Sequence, residues 1–137
     1  MNRLKGNWHA STLSFGLPSD VEMTWQSVLD DKYVQILYKI TMHANDGTDQ
    51  LFEGTAFYKP NGINQYKATW FDSTGDMHPI SAVVEENSLV SSWGTPETKM
   101  GKTTYKIIDF RTVEVIDLIQ KKDGSWKQFN RAILTKK

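Results

Sequence analysis

Along most of this chain apolar and polar side chains alternate one for one, in segments of about eight to twelve residues set off by Gly, Asn, Asp and Pro. A period of two is what a strand with one buried face requires. It predicts ten strands, near residues 4–15, 21–29, 32–44, 50–59, 64–72, 79–86, 88–94, 102–110, 112–120 and 125–135. The stretches between them include "LDDKY", "NDGTD", "KPNGIN", "EENS" and "KKDGSW". Asn-Gly and Asp-Gly accept the positive φ of tight hairpin turns, so neighbouring strands are predicted to pair antiparallel. The single helix candidate is "GLPSDVEM", where Ser19 and Glu22 stand at capping-box spacing, enough for a one-turn lid.

Strands with one apolar face each can hide it between two stacked sheets or by closing into an up-and-down barrel, and alternation alone leaves both open. Strand three turns Val34, Ile36, Tyr38, Ile40 and Met42 to one side and the mostly polar Tyr33, Gln35, Leu37, Lys39, Thr41 and His43 to the other. Strand five separates Tyr66, Ala68, Trp70 and Asp72 from Lys67, Thr69 and Phe71, and small Gly54 and Ala56 in strand four are expected to leave space inside a barrel.

At 137 residues the chain, 1–137, has room for one domain and its core. Sixteen basic residues balance sixteen acidic ones, so the broad positive field of a nucleic-acid binder is missing. With no cysteine there is no disulfide, thiolate nucleophile or Cys-ligated zinc. "MNRLKGNWHAST" lacks a signal-peptide apolar run, and no stretch has the length of an apolar membrane span. As given, the chain reads as a soluble cytoplasmic protein, or a periplasmic or secreted one if a leader has been removed. Five Trp, five Tyr and six Phe make up 12% of the residues, rings that must be buried or must bind something.

"LKGNW" carries Gly6, Asn7 and Trp8, and "FNRAIL" carries Arg131 in the last strand. In these features the sequence resembles the calycins, the superfamily of lipocalins and fatty-acid-binding proteins, whose first strand bears a Gly-x-Trp motif. The block "GTAFYKPNGINQYKATWFDSTGD" is similar to an uncharacterised bacterial lipocalin-like family. The resemblance implies an all-β fold, a single antiparallel up-and-down barrel of about ten strands with an internal cavity, and Arg131 packed over Trp8 to close the floor. Nitrobindins, a related group, hold haem through a His near the C-terminus, and "NRAILTKK" has none. No cofactor is called for.

Of three histidines, none makes a close-spaced metal pair. His9 and His43 read as surface residues. His78 precedes Pro79, and the "FDSTGDM" turn brings Asp72 and Asp76 near it, so an Asp-oriented general base is one reading. The other has Asp72 capping its own turn and His78 solvated at the rim. No Gly-x-Ser-x-Gly elbow appears, and the serines fall in turns or outward strand positions. "GTPETKMGKT" is not a P-loop, because Pro96 stands where its first glycine belongs. Glu53 and Glu114 alternate as solvent-facing residues do. Asp109 and Asp117 are undecided, since "KIIDF" and "TVEVIDLI" are apolar on both faces, and one of those faces would suit a homodimer.

What remains is a set of inward rings and thioethers: Trp25, Tyr38, Tyr58, Trp70, Trp93 and Tyr105, with Met23 and Met42. Apolar walls with a few hydroxyls and indole N–H groups are the material of small-molecule pockets. Packed rings can equally fill a small barrel. The leading expectation is a lipocalin-like protein binding a small hydrophobic or aromatic ligand, oriented by tyrosine hydroxyls or Asn130, with no catalytic residue. The rival is an enzyme using His78 with Asp72 or Asp76 as its acid-base pair.

Overall fold

A computed structural model describes all residues, 1–137, and contains one closed barrel. After a short 3₁₀ turn at Asn2–Leu4 come ten strands: β1 (Gly6–Ser14), β2 (Leu17–Val28), β3 (Tyr33–His43), β4 (Asp49–Pro60), β5 (Gln65–Asp72), β6 (Met77–Glu85), β7 (Ser88–Gly94), β8 (Met100–Asp109), β9 (Thr112–Gln120) and β10 (Trp126–Lys136). Each pairs antiparallel with its sequence neighbours, and β10 closes onto β1. Closure leaves no exposed sheet edge. No helix is long and apolar enough to cross a membrane.

The largest departure from the predicted boundaries is at β2. The segment read as a one-turn lid is strand: Leu17 pairs with Ser14, and Ser19 with both Thr12 and Met42. Phe15 and Gly16 both adopt positive φ, at 52° and 80°, and so make a two-residue turn whose twist matches the strands it joins. Once that hairpin is set, Ser19 has a ladder instead of a helix to serve, and its hydroxyl donates to the Leu17 carbonyl at 2.9 Å.

Meander topology puts the β1–β2, β3–β4, β5–β6, β7–β8 and β9–β10 turns at one end of the barrel. Both chain termini lie at the opposite end, which is sealed. Leu4 is buried beneath the strands, and its carbonyl accepts the Trp8 indole N–H at 2.8 Å. Trp8 is 1% exposed. Around and above this floor pack Val113, Leu134, Ile36, Ile107 and Leu89.

The cation over Trp8 is not Arg131. Along β10 Asn130, Ala132 and Leu134, beyond a register shift between Gln128 and Asn130, face inward, so Arg131 points out and pairs with Glu114 on β9. The same alternation brings Lys136 to the seam opposite Trp8, with its ammonium 5.4 Å from the ring centroid. Gly6 makes room for it, since a Cβ there would lie 2.7 Å from the Lys136 Cε. The sealing group is therefore a lysine five residues beyond the arginine that the family resemblance implied.

Trp8→Ala should lower unfolding stability by about 3–5 kcal/mol, as buried tryptophan truncations do. Arg131→Ala should cost less than about 1 kcal/mol, as expected of an exposed ion pair. Urea denaturation of both variants checks the ranking, and equal costs would contradict this floor.

Candidate ligand site

Above the packed floor the barrel is hollow. A cavity of ≈ 250 Å³ reaches toward the end that carries Phe15, the β5–β6 turn and Lys99. Its inner limit is aromatic. Trp25 packs its ring against Tyr58 at 5.3 Å and against Tyr105 at 5.1 Å, the second contact edge-on at 89°. Tyr58 and Tyr105 line the cavity while Trp25 does not, so Trp25 backs them from the floor side. Met23 and Met42 are likewise buried core and do not line the space. Of the eight residues expected to face a ligand, Tyr38, Tyr58, Trp70, Trp93, Tyr105 and Asn130 line it; Met23 and Trp25 do not.

Two tryptophans are held against the wall in the same way. Trp70 lies over Gly54 and Trp93 over Gly101; a Cβ on either glycine would fall about 2 Å from an indole carbon, at 1.9 and 2.0 Å. Each indole N–H is then anchored on its own sheet, Trp70 to Asp72 at 2.9 Å and Trp93 to Thr103 at 3.1 Å. The volume freed by Gly54 is thus filled by Trp70, and Ala56, fully buried, lines no space either. What these small residues provide is the seat of a ring; the opening remains in the barrel centre.

Asp72 is committed to local structure. It accepts from Trp70, from the Thr74 backbone N–H at 3.0 Å and from the Thr74 hydroxyl. Burial would raise its pKa, but these bonds hold it below the ordinary carboxylate value. His78 is not solvated at the rim: it is 9% exposed, and its ring lies 5.2 Å from that of Trp93. Its Nε2 is 3.8 Å from Asp76, which also takes the Lys99 ammonium at 3.4 Å. Of the two proposed partners for His78, only Asp76 is in contact with it.

Asp117, whose facing was undecided, is inside. On β9 Val113 and Val115 point into the core, and the next inward position is Asp117. It receives the Thr103 hydroxyl at 2.6 Å from β8 and the Asn130 amide at 3.2 Å from β10. Burial pushes its carboxyl above the ordinary value against the pull of those two bonds. Asp109 is exposed at the end of β8. Ser91, read as outward, faces in and bonds the Tyr58 hydroxyl at 2.8 Å; burial raises that phenol to about 12. The Tyr38 hydroxyl is buried with no hydrogen-bond partner, as are the Trp25 indole N–H and the Ser14 hydroxyl. Burial keeps Tyr38 and Tyr105 un-ionised far above neutrality.

Sequence reasoning left Asp117 undecided because Ile116 and Leu118 beside it are apolar too, and it missed Ser91 because a serine gives no facing signal of its own. The short spacing Thr103, Tyr105 on β8, of one parity with Gly101, was the available clue to which residues of β9 look inward.

Outside the barrel His43 bridges two carboxylates, with Nε2 2.9 Å from Asp20 and Nδ1 2.8 Å from Asp49. Those bonds, the one to Asp20 first, raise its pKa. Both ring nitrogens are engaged by carboxylates on neighbouring strands. Against known proteins, the chain matches no family model and no curated sequence.

Because the folded state holds the Asp117 proton more tightly than the unfolded chain does, this group favours folding at low pH. That contribution is lost as pH rises from the unfolded carboxylate pKa through the raised folded one. Asp117→Asn removes the effect. The stability of the variant relative to the parent should therefore climb between pH 4 and pH 8, which parallel urea titrations would reveal; a flat difference would contradict burial of the ionisable group.

Proposed function

We propose that this chain is a lipocalin-like, calycin-type binding protein that holds a small hydrophobic or aromatic molecule inside its barrel. The observation that carries this reading is the cavity itself, walled by Tyr38, Tyr58, Trp70, Trp93 and Tyr105 and supplied with a few fixed polar groups. Apolar walls with sparse, oriented polar groups suit recognition by burial of ligand surface. At ≈ 250 Å³ the space is smaller than most drug-sized pockets, which argues for a compact ligand. The Gly6-Asn7-Trp8 segment supports the family likeness, since Trp8 seals the floor as such a motif implies.

A second reading, an enzyme in the same barrel, draws on one contact: His78 beside Asp76 at the cavity wall. Asp72 adds nothing to it, being occupied by Trp70 and Thr74.

Native mass spectrometry of freshly purified protein should show a co-purified small molecule, or uptake of added N-phenyl-1-naphthylamine, a neutral apolar probe. Removing one aromatic wall by Trp70→Ala should weaken that probe about tenfold. His78→Ala should leave it within about threefold. No uptake by the parent protein would sink the binding reading, whereas turnover of any bound compound that disappears in His78→Ala would favour the enzyme.

A further inference from the structure

Asp117 is a carboxyl group set deep in an aromatic cavity, and no cation of this chain reaches it. A carboxylate has about four acceptor positions. Two are filled, both by neutral donors, Thr103 and Asn130. Thr103 has nothing more to give, because its one hydroxyl proton goes to Asp117 while its oxygen receives the Trp93 N–H. The basic side chains of the neighbouring strands point away: Arg131 is engaged by Glu114, and Lys102 lies over Trp126. Among residues lining the cavity, only Lys99 and His78 can be cationic, and both face Asp76 nearer the opening. Against them stand three carboxyl groups, Asp72, Asp76 and Asp117.

The surplus of acid, the unfilled acceptors of Asp117 and the ring faces around it point one way. We infer that the ligand carries a protonated amine on a short arm from a flat apolar body, with the ammonium bonded to Asp117 and the body between the Trp and Tyr walls. This rests on the reading that the cavity binds a small molecule, and it names the ligand's class. An ammonium supplies the donors that Asp117 lacks, and the resulting hydrogen bond is charge-assisted, the stronger kind. Rings beside it add cation-π attraction. Tyr38, 8% exposed and lining the same cavity, has a hydroxyl that nothing in the protein satisfies. Its oxygen can accept a further ammonium proton. Space agrees: an apolar cavity of about 150 Å³ holds benzene, so ≈ 250 Å³ admits a ring system and a short arm. An anionic ligand would meet an uncompensated carboxyl beside the ring walls of the site.

Three indoles of nearly equal shape test this by calorimetry on the full chain: tryptamine, cationic at neutral pH; 3-propylindole, neutral; and indole-3-propionate, anionic. Tryptamine should bind about tenfold or more tighter than 3-propylindole, the worth of one charge-assisted bond, and indole-3-propionate more weakly than either. In Asp117→Asn the preference for tryptamine should fall to within about threefold while 3-propylindole is held as before, and Asp76→Asn should keep the preference. If Asp117→Asn fails to fold, the side-chain amide resonance of Asn130 in the parent protein decides, since tryptamine must shift it more than 3-propylindole does. Equal or tighter binding of 3-propylindole by the parent protein overturns the amine assignment and leaves ligand binding intact. Failure of all three indoles and of N-phenyl-1-naphthylamine overturns both.

Discussion

The constraint on which this structure depends is parity. In a closed barrel every second residue of every strand faces the lumen, and hydrogen bonding to both neighbours allows no strand to change face without an irregularity in its ladder. β10 contains such an irregularity at Phe129, between Gln128 and Asn130. Past it the register of the seam sends Asn130 to Asp117, Ala132 and Leu134 into the core, and Lys136 to the seam beside Trp8. It also sends Arg131 out to Glu114. A strand without that irregularity, keeping the same seam, would exchange the faces of Trp126, Lys127 and Gln128 while Asn130 kept its place opposite Asp117.

Along its axis the barrel divides into two environments. Near the chain termini Leu4, Trp8, Trp25, Ile36, Val113 and Leu134 pack into a closed apolar floor whose burial stabilises the fold. Toward the other end the lumen takes on Ser91, Thr103, Asn130, Asp117 and His78, each with a polar atom to satisfy. Most are satisfied by one another across adjacent strands, as in the chain from Trp93 through Thr103 to Asp117. The layer where the two environments meet is formed by Tyr58 and Tyr105 with Trp25 behind them. Rings turned one way pack the floor, and hydroxyls turned the other begin the polar lumen.

Strand number, order and most boundaries were legible because each strand is amphipathic over enough residues for the period to register, as in Val34 to Met42. The hairpin at Phe15–Gly16 was hidden by a plausible local alternative, Ser19 with Glu22, which loses once Leu17 and Ser19 have ladder partners. Arg131 was misplaced for a different reason: family resemblance set it over Trp8, whereas the parity that turns Asn130, Ala132 and Leu134 inward turns Arg131 out. Asp117 stayed ambiguous because Ile116 and Leu118 cover the outer face with apolar side chains, so neither side of the strand announced itself. Six of the eight expected lining residues do line the cavity, whereas depth along the axis, which separates Met23 and Trp25 from the rest, has no signature in alternation.

The paired arrangement of Trp70 over Gly54 and Trp93 over Gly101 reaches beyond the two residues it seats. An indole needs somewhere to lie, and in a narrow cylinder its choice is along the inner surface or across the bore. Removing a single carbon from the neighbouring strand permits the first. Two absent methyl groups, on opposite flanks of the β5–β7 wall, thereby set the bore's clearance, and a lineage could narrow or reopen this blind cavity by changing a glycine while leaving every aromatic in place.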